Sequence, residues 1–274
     1  MCKKHKLLES LDEFIESVHM QQRDREIRKI AGDIKEGFQE YFRHQGDRFL
    51  EMLDKQKNEF PEEMQEAIND HEIMRLLDEV IMETDREGRK IIEDSAGQLM
   101  LFAHEQLVAE TGFEIDFDLD HPRAVEYLEK HAGEAITNID ETTRDRIARI
   151  VTEGLDDGVS YTKMAEEIED EFEEFAVGKP QEHIRSRAEL VAVTESANAY
   201  ESGLNEVGKE MEKQGLKLEH HWETVGDGRV SDGCQENNRA GWIDFEEDFP
   251  SGDHEPPRFP GCRCASLIRR KRDD

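Results

Sequence analysis

The side chains with the most chemistry sit late in the chain. Three of its four cysteines, Cys234, Cys262 and Cys264, fall after residue 180, together with both tryptophans, Trp222 and Trp242. The densest stretch is His254-Glu-Pro-Pro-Arg-Phe-Pro-Gly-Cys-Arg-Cys264. Four cysteines in so long a chain do not make a secreted disulfide framework, and free thiols or a metal site are the expectation. Two enzyme signatures come close and fail. A zinc deaminase needs His-x-Glu upstream of Pro-Cys-x-x-Cys, but Glu255 follows His254 directly and a single residue separates Cys262 from Cys264. A metalloprotease His-Glu-x-x-His is excluded because His254-Glu255 runs into Pro256-Pro257-Arg258. His220 and His221, adjacent on a strand, point to opposite faces and read as one core and one surface histidine.

Two further groups concern charge. Glu195 follows an apolar stretch, and a partly buried carboxylate there needs a cation, for which Arg229 and Arg263 are the candidates. Such a pair would pin the C-terminal loops to the helix that carries Glu195; the alternative is an exposed glutamate on a solvated face. A catalytic role lacks a second acid, a nucleophile or a phosphate loop. Arg269-Arg270-Lys271-Arg272 is the only dense basic cluster. It suits contact with DNA or an acidic partner, or a disordered tail.

The elements that position these residues are mainly helical. From Leu7 to Lys57 apolar residues recur at three- and four-residue steps without proline, which predicts one long helix or two in tandem, with Gly32, Gly37 and Gly46 as the weak points. Pro61 opens a second helix that extends to Gly112, and the two read as a hairpin. Strict alternation from Phe113 to Leu119 predicts a short strand or an extended linker with one apolar face. Helices follow at Arg123–His131, Asp140–Leu155 and Tyr161–Phe175. A long helix from Gln181 to Gln214 opens after Pro180 and stops at Gly215. A strand at Leu218–Val225 and a turn at Gly226-Asp-Gly228 lead into the loop-rich end. The expected fold is mainly α with a small β and loop-rich C-terminal part. It divides into a helical hairpin (1–112), a linker with a short strand and helix (113–136), and a C-terminal module (137–274).

Composition narrows the function classes. Charged residues make up 38% of 274 residues and the net charge is -31, which opposes general DNA binding. An acidic surface fits basic partners, or a medium of concentrated salt, where the screening length falls to about 3 Å at 1 M. Arginine outnumbers lysine, a bias in the halophilic direction. No apolar run approaches the roughly 18 residues a membrane span needs, and the start lacks a signal-peptide core, so a soluble, unexported protein is expected.

One ordered set of residues resembles a known family. Ile136, Ile139, Ile150, Gly154-Leu155, Gly158-Val-Ser160 and Ile168 come first, followed by Arg187-Ala-Glu-Leu-Val-Ala-Val-Thr194-Glu195. Then come Trp222, Asp227-Gly-Arg229-Val230 and Cys234, and finally Pro256-Pro257 and Pro260-Gly-Cys262-Arg263-Cys264. Together they resemble the MuF-like head-morphogenesis (minor capsid) family of tailed viruses, over residues ~135 to 265. In that family Asp-x-Arg-Val-Cys-x-x-Cys is followed by His-Pro-x-Cys-Arg-Cys. Here Ser231 stands at the first cysteine and Phe259 at the histidine. If the family's cysteines and histidine hold a structural metal, two ligands are missing. His254 can replace one, giving the Cys3His set Cys234, His254, Cys262 and Cys264 that zinc prefers. Reduced, partly buried thiols, or a Cys234 bridge to one of the pair, remain open as alternatives.

The resemblance implies a structural minor head protein rather than an enzyme, in several copies inside the capsid near the portal. It would be made in the host cytoplasm and act in head assembly, genome packaging or ejection. The implied partners are the portal protein, the major capsid protein and, through the basic tail, packaged DNA. The other class is a metal-dependent hydrolase or toxin-type enzyme associated with the same domain.

Overall fold

The computed structural model describes residues 3–59, 70–159, 161–178 and 186–271, with side chains for all of these except 3–22, 57–59, 161 and 162. Pro61, Ser160, Pro180 and Arg272 lie outside these residues, as do Cys2 and the side chains from Leu7 to Val18.

Among the described residues six helices are followed and interleaved by a three-stranded sheet. α1 runs over Lys3–Glu59, α2 over Asp70–Thr111, α3 over Pro122–Asp156, α4 over Tyr161–Val177 and α5 over Arg187–Lys213. β1 is Leu218–Glu223, α6 Asp232–Arg239, β2 Ile243–Asp244 and β3 Ala265–Arg270. This is the mainly α fold with a small C-terminal sheet that the sequence implies.

α1 is one continuous helix, and its glycines do not break it. Two of them mark close approach instead. A Cβ on Gly37 would sit 3.2 Å from Ile91, and one on Gly46 would sit 2.8 Å from Phe172, so α2 and α4 each lie tight against α1. Its stripe Ile34, Phe38, Tyr41, Phe42, Phe49 and Leu53, at three- and four-residue steps, is fully buried. Each such side chain contributes about 1.5–3 kcal/mol by leaving water.

The core does not stop at the end of the hairpin. α1 packs on α2, α4 and α5, and α2 packs on α3 and α5, so one apolar cluster runs from Ile30 to Ile268. Among the residues with described side chains, the apolar faces of the first two helices are therefore covered within the chain. α5 reaches deepest, because Gly203 lets α2 come so close that an added Cβ would meet Met100 Cα at 2.9 Å.

Between α2 and α3 the chain is extended and unpaired. Phe113, Ile115 and Phe117 turn toward the core while Glu114, Asp116 and Asp118 are exposed, the one-faced linker that the alternation implies. The two helices expected at Arg123–His131 and Asp140–Leu155 are one, α3. Ala132, Ala135, Ile136 and Ile139 continue the buried face across the expected gap, so burial holds the helix through Gly133. α5 begins at Arg187, where the Ser186 side chain accepts from the Glu189 N–H, rather than at Gln181.

In the sheet the order is β2-β1-β3, all antiparallel, with His220 opposite Ile268 and Trp222 opposite Ser266. Alternation along β1 buries Leu218, His220 and Trp222 and turns His221 to the other face.

Candidate functional site

The three late cysteines converge beneath this sheet. α6 is too short and too polar to be fixed by its own apolar face, and only Cys234 and Asn237 of it are buried. It is fixed by its start, where Ser231 Oγ accepts from the Cys234 N–H at 3.3 Å. Ser231, the residue at the family's cysteine position, is thus the N-cap of the helix that carries Cys234. The segment Cys262-Arg-Cys264 enters β3 extended, so its two cysteines share one face and Arg263 takes the other. Cys234, Cys262 and Cys264 are 1%, 3% and 8% exposed and form a second small core with Trp222 and Phe249. Their sulfurs all lie within 4.8 Å of one another. All three are free thiols, and Cys234 Sγ and Cys262 Sγ stand 4.0 Å apart, about twice a disulfide bond length.

Within this group the thiols divide one proton-poor position. The Cys264 S–H donates to Cys262 and pulls its pKa down, and the same bond pushes Cys264 up. Arg258 lies across the first turn of α6, where Gly233 leaves room for its guanidinium, and it is held by Asp253 at 2.5 Å.

The fourth ligand expected from the sequence does not join them. His254 faces Asp248 at 3.3 Å and packs against His220 and Phe245, and the group of neighbouring ligand atoms contains only the three thiols. The reason is local: Asp253 and Ser251 hold each other at 2.6 Å, and Asp253 also holds Arg258. His254 is thereby left on the His220 side. Buried against Phe249, His220 is pushed down to about 4 and stays neutral, with its Nε2 on the Glu247 carbonyl at 3.0 Å.

The motif residues are spent on one another, though not in the pairs expected. Glu195 meets neither Arg229 nor Arg263. Its Oε2 lies 2.7 Å from His131 Nε2 of α3. Both arginines go to Asp227, which accepts from Arg263 Nη2 at 2.8 and 2.9 Å and from the Arg229 backbone and side chain at 3.0 and 3.1 Å. Arg263, then Arg229, holds the Asp227 carboxyl down at about 2. The pin between helix and loop is Thr194, whose Oγ1 accepts from the buried Gly261 N–H at 3.0 Å and donates to Leu190 O at 2.8 Å. Pro260, next to Gly261, borders a small cleft above the thiols with Val230, Ser231 and Phe259.

Arg187 lies farther off, in the helical core. Its guanidinium sits between the rings of Phe42 and Phe175, 4.9 and 4.7 Å from their centroids, and donates to Thr143 Oγ1 at 2.8 Å and to the Ile139 carbonyl. Burial, with Arg146 nearby, lowers it to about 10.

Three of the four basic tail residues belong to β3 or its end. Arg269 donates to Glu219 at 2.6 Å and covers the Trp242 ring at 3.7 Å, Arg270 donates to Thr111 O at 2.5 Å, and Lys271 pairs with Asp244.

Residues 145–267 match the family model of Phage Mu protein F like protein. The MuF-like resemblance read from the sequence holds over these residues. No curated protein and no solved structure matches. The Mu F-like segment contains Arg187, Thr194, Glu195, Asp227 and the thiol cluster, while α1, α2 and the start of α3 precede it. Among the described residues no helix is long and apolar enough to cross a membrane.

Sequence reasoning missed two buried polar groups. Glu201, 3% exposed on α5, accepts from the Ser266 N–H of β3 at 2.9 Å and faces Arg23 of α1; burial pushes it up to about 8. In the other, Asp140 accepts from Tyr41 at 2.7 Å and from Gln45 at 3.2 Å, tying α3 to α1. Burial raises Asp140 above the usual carboxylate range. A charged residue inside an apolar pattern is the only signal that either leaves in the sequence.

Proposed function

We propose that this protein is a minor head protein of a tailed virus, carried in several copies inside the capsid at the portal vertex, where it serves head assembly and genome packaging or ejection. The observation that carries the reading is the family match over residues 145–267, which spans the motif residues from Arg187 to Cys264. The site geometry supports a structural role within it. Asp227 ties its own loop to the segment before β3 through Arg229 and Arg263, and Thr194 holds Gly261 to α5, so both side chains are engaged in holding the loops in place.

The two N-terminal helices, which the family match leaves out, carry the docking to the portal protein or to sibling copies, with the major capsid protein as a further neighbour. From Ile27 onward their described apolar faces are covered by α3, α4 and α5, so docking there uses their outer, charged faces. Contact with packaged DNA falls to Arg272 and to what Arg269, Arg270 and Lys271 leave exposed beyond their bonds to Glu219, Thr111 and Asp244.

The test is complex formation with the portal protein of the same virus. Co-expression followed by gel filtration is expected to give co-elution of the full chain with the portal ring. Co-elution should be lost when charges on the outer faces of α1 and α2, such as Glu36 and Glu93, are reversed. A chain that elutes apart from the portal at all salt concentrations overturns the portal assignment.

A further inference from the structure

We propose that Cys234, Cys262 and Cys264 form a three-thiolate site for one thiophilic divalent ion of the zinc class, with a fourth, exchangeable ligand entering from the cleft beside Val230 and Phe259. The proposal goes beyond the head-protein reading, which stands whether or not an ion is bound.

The geometry is close to what such an ion requires. Tetrahedral zinc with bonds of about 2.3 Å places its sulfurs about 3.8 Å apart. Here one pair stands at 4.0 Å and all three lie within 4.8 Å, so less than an ångström of closure completes the triangle. The positions are also well fixed. Cys234 is held by the cap of α6, while Cys262 and Cys264 are held on one face by the Asp227–Arg263 pair on the other.

The surroundings place a donor and a cation around the sulfurs. The indole N–H of Trp222, fully buried and with no hydrogen-bond partner, bears on the Cys264 sulfur, and the Arg258 guanidinium bears on Cys234. An N–H donor and a cation aimed at sulfur are the outer partners that a metal-bound thiolate uses, and they offset the net negative charge of three thiolates on a divalent ion. The need is visible as well. The second core contains five buried residues, three of them these cysteines, and a small loop-rich core of that size is commonly closed by a metal or a disulfide.

Among the described residues no fourth side chain joins the three thiols. Ser231 is engaged in capping and His254 is turned to Asp248, so neither completes the tetrahedron in this arrangement. The fourth position opens on the cleft that Ser231, Phe259 and Pro260 border.

The experiment uses the full chain in a Cys2→Ser background, purified under reducing conditions without chelator. Elemental analysis is expected to find close to one zinc per chain. Cobalt added to the metal-free protein is expected to give a near-ultraviolet thiolate charge-transfer band with intense visible bands of tetrahedral cobalt. His254→Ala should keep the metal, and Cys262→Ser should lower occupancy about tenfold or more. Because a serine variant can fail to fold, the cobalt titration of the parent chain stands by itself. Four results overturn the proposal: absent zinc with all three thiols titrating free, an intact mass lowered by the hydrogens lost to a disulfide, cobalt spectra without a thiolate band, or metal lost on His254→Ala.

Discussion

At the scale of single residues, the C-terminal module is held to the helical body by a few directional bonds whose removal has calculable consequences. Thr194→Val keeps the shape but strands the buried Gly261 N–H, and a loss of about 1–3 kcal/mol is expected in urea unfolding, with Thr194→Ser restoring most of it. Equal stability of the valine variant and the parent would remove Thr194 from the clasp. Glu201 supplies a pH signature. Its folded pKa is raised, so the folded state holds a proton that the unfolded chain releases above its ordinary carboxylate pKa, and its contribution to stability falls as pH rises from about 4.5 to about 8. Glu201→Gln removes that dependence. The variant is expected to gain on the parent across this window, by at most about 1.4 kcal/mol per pH unit, in parallel melts. A constant difference between pH 4.5 and 8 would show that Glu201 is charged in the folded protein. Thr194, Asp227 and Arg263 were legible in the sequence because they belong to a motif with fixed order. Their partners were not. The ligand of Glu195 is His131, 64 positions away on another helix, and pairing across that separation is a property of packing that no local pattern encodes.

At the scale of elements, helix type and most extents were legible because long amphipathic patterns record which face is buried. α3 was read as two helices since its polar middle interrupts the pattern, yet Ala132 and Ala135 suffice to bury that turn. α6 left no apolar period to read. β3 was hidden by its own arginines, which lie along the strand as partners of Glu219 and Thr111 rather than forming a free tail. The glycines test what the helices need. Gly203→Ala forces a methyl group onto the backbone of α2 at Met100, and a loss of about 1–3 kcal/mol is expected. At Gly32 an added Cβ meets nothing within 4 Å, so Gly32→Ala should stabilise by about 0.5–1 kcal/mol through helix propensity alone. Chemical denaturation of both variants distinguishes them, and a Gly203→Ala protein as stable as the parent would contradict the close α2–α5 packing.

At the scale of the whole molecule, a single apolar core joins residues from Ile30 to Ile268, and the chain of 274 residues built on it carries a net charge of -31. Several of the arginines, among them Arg43, Arg48 and Arg144, are engaged with surface carboxylates on other elements, which leaves the acidic excess to repel itself. Screening should relieve it, so the melting temperature is expected to rise steeply as KCl is raised into the molar range; a flat or falling midpoint would mean that the acidic surface serves basic partners instead. The core also bears on how the halves behave apart, since α5 of the Mu F-like segment packs on both N-terminal helices. The central claim, that the chain is a structural component of the viral head, is tested most directly by quantitative peptide mass spectrometry of purified particles from the virus that encodes it. The account predicts this chain in mature heads at a stoichiometry well below that of the major capsid protein. Its absence from both immature and mature particles would contradict it.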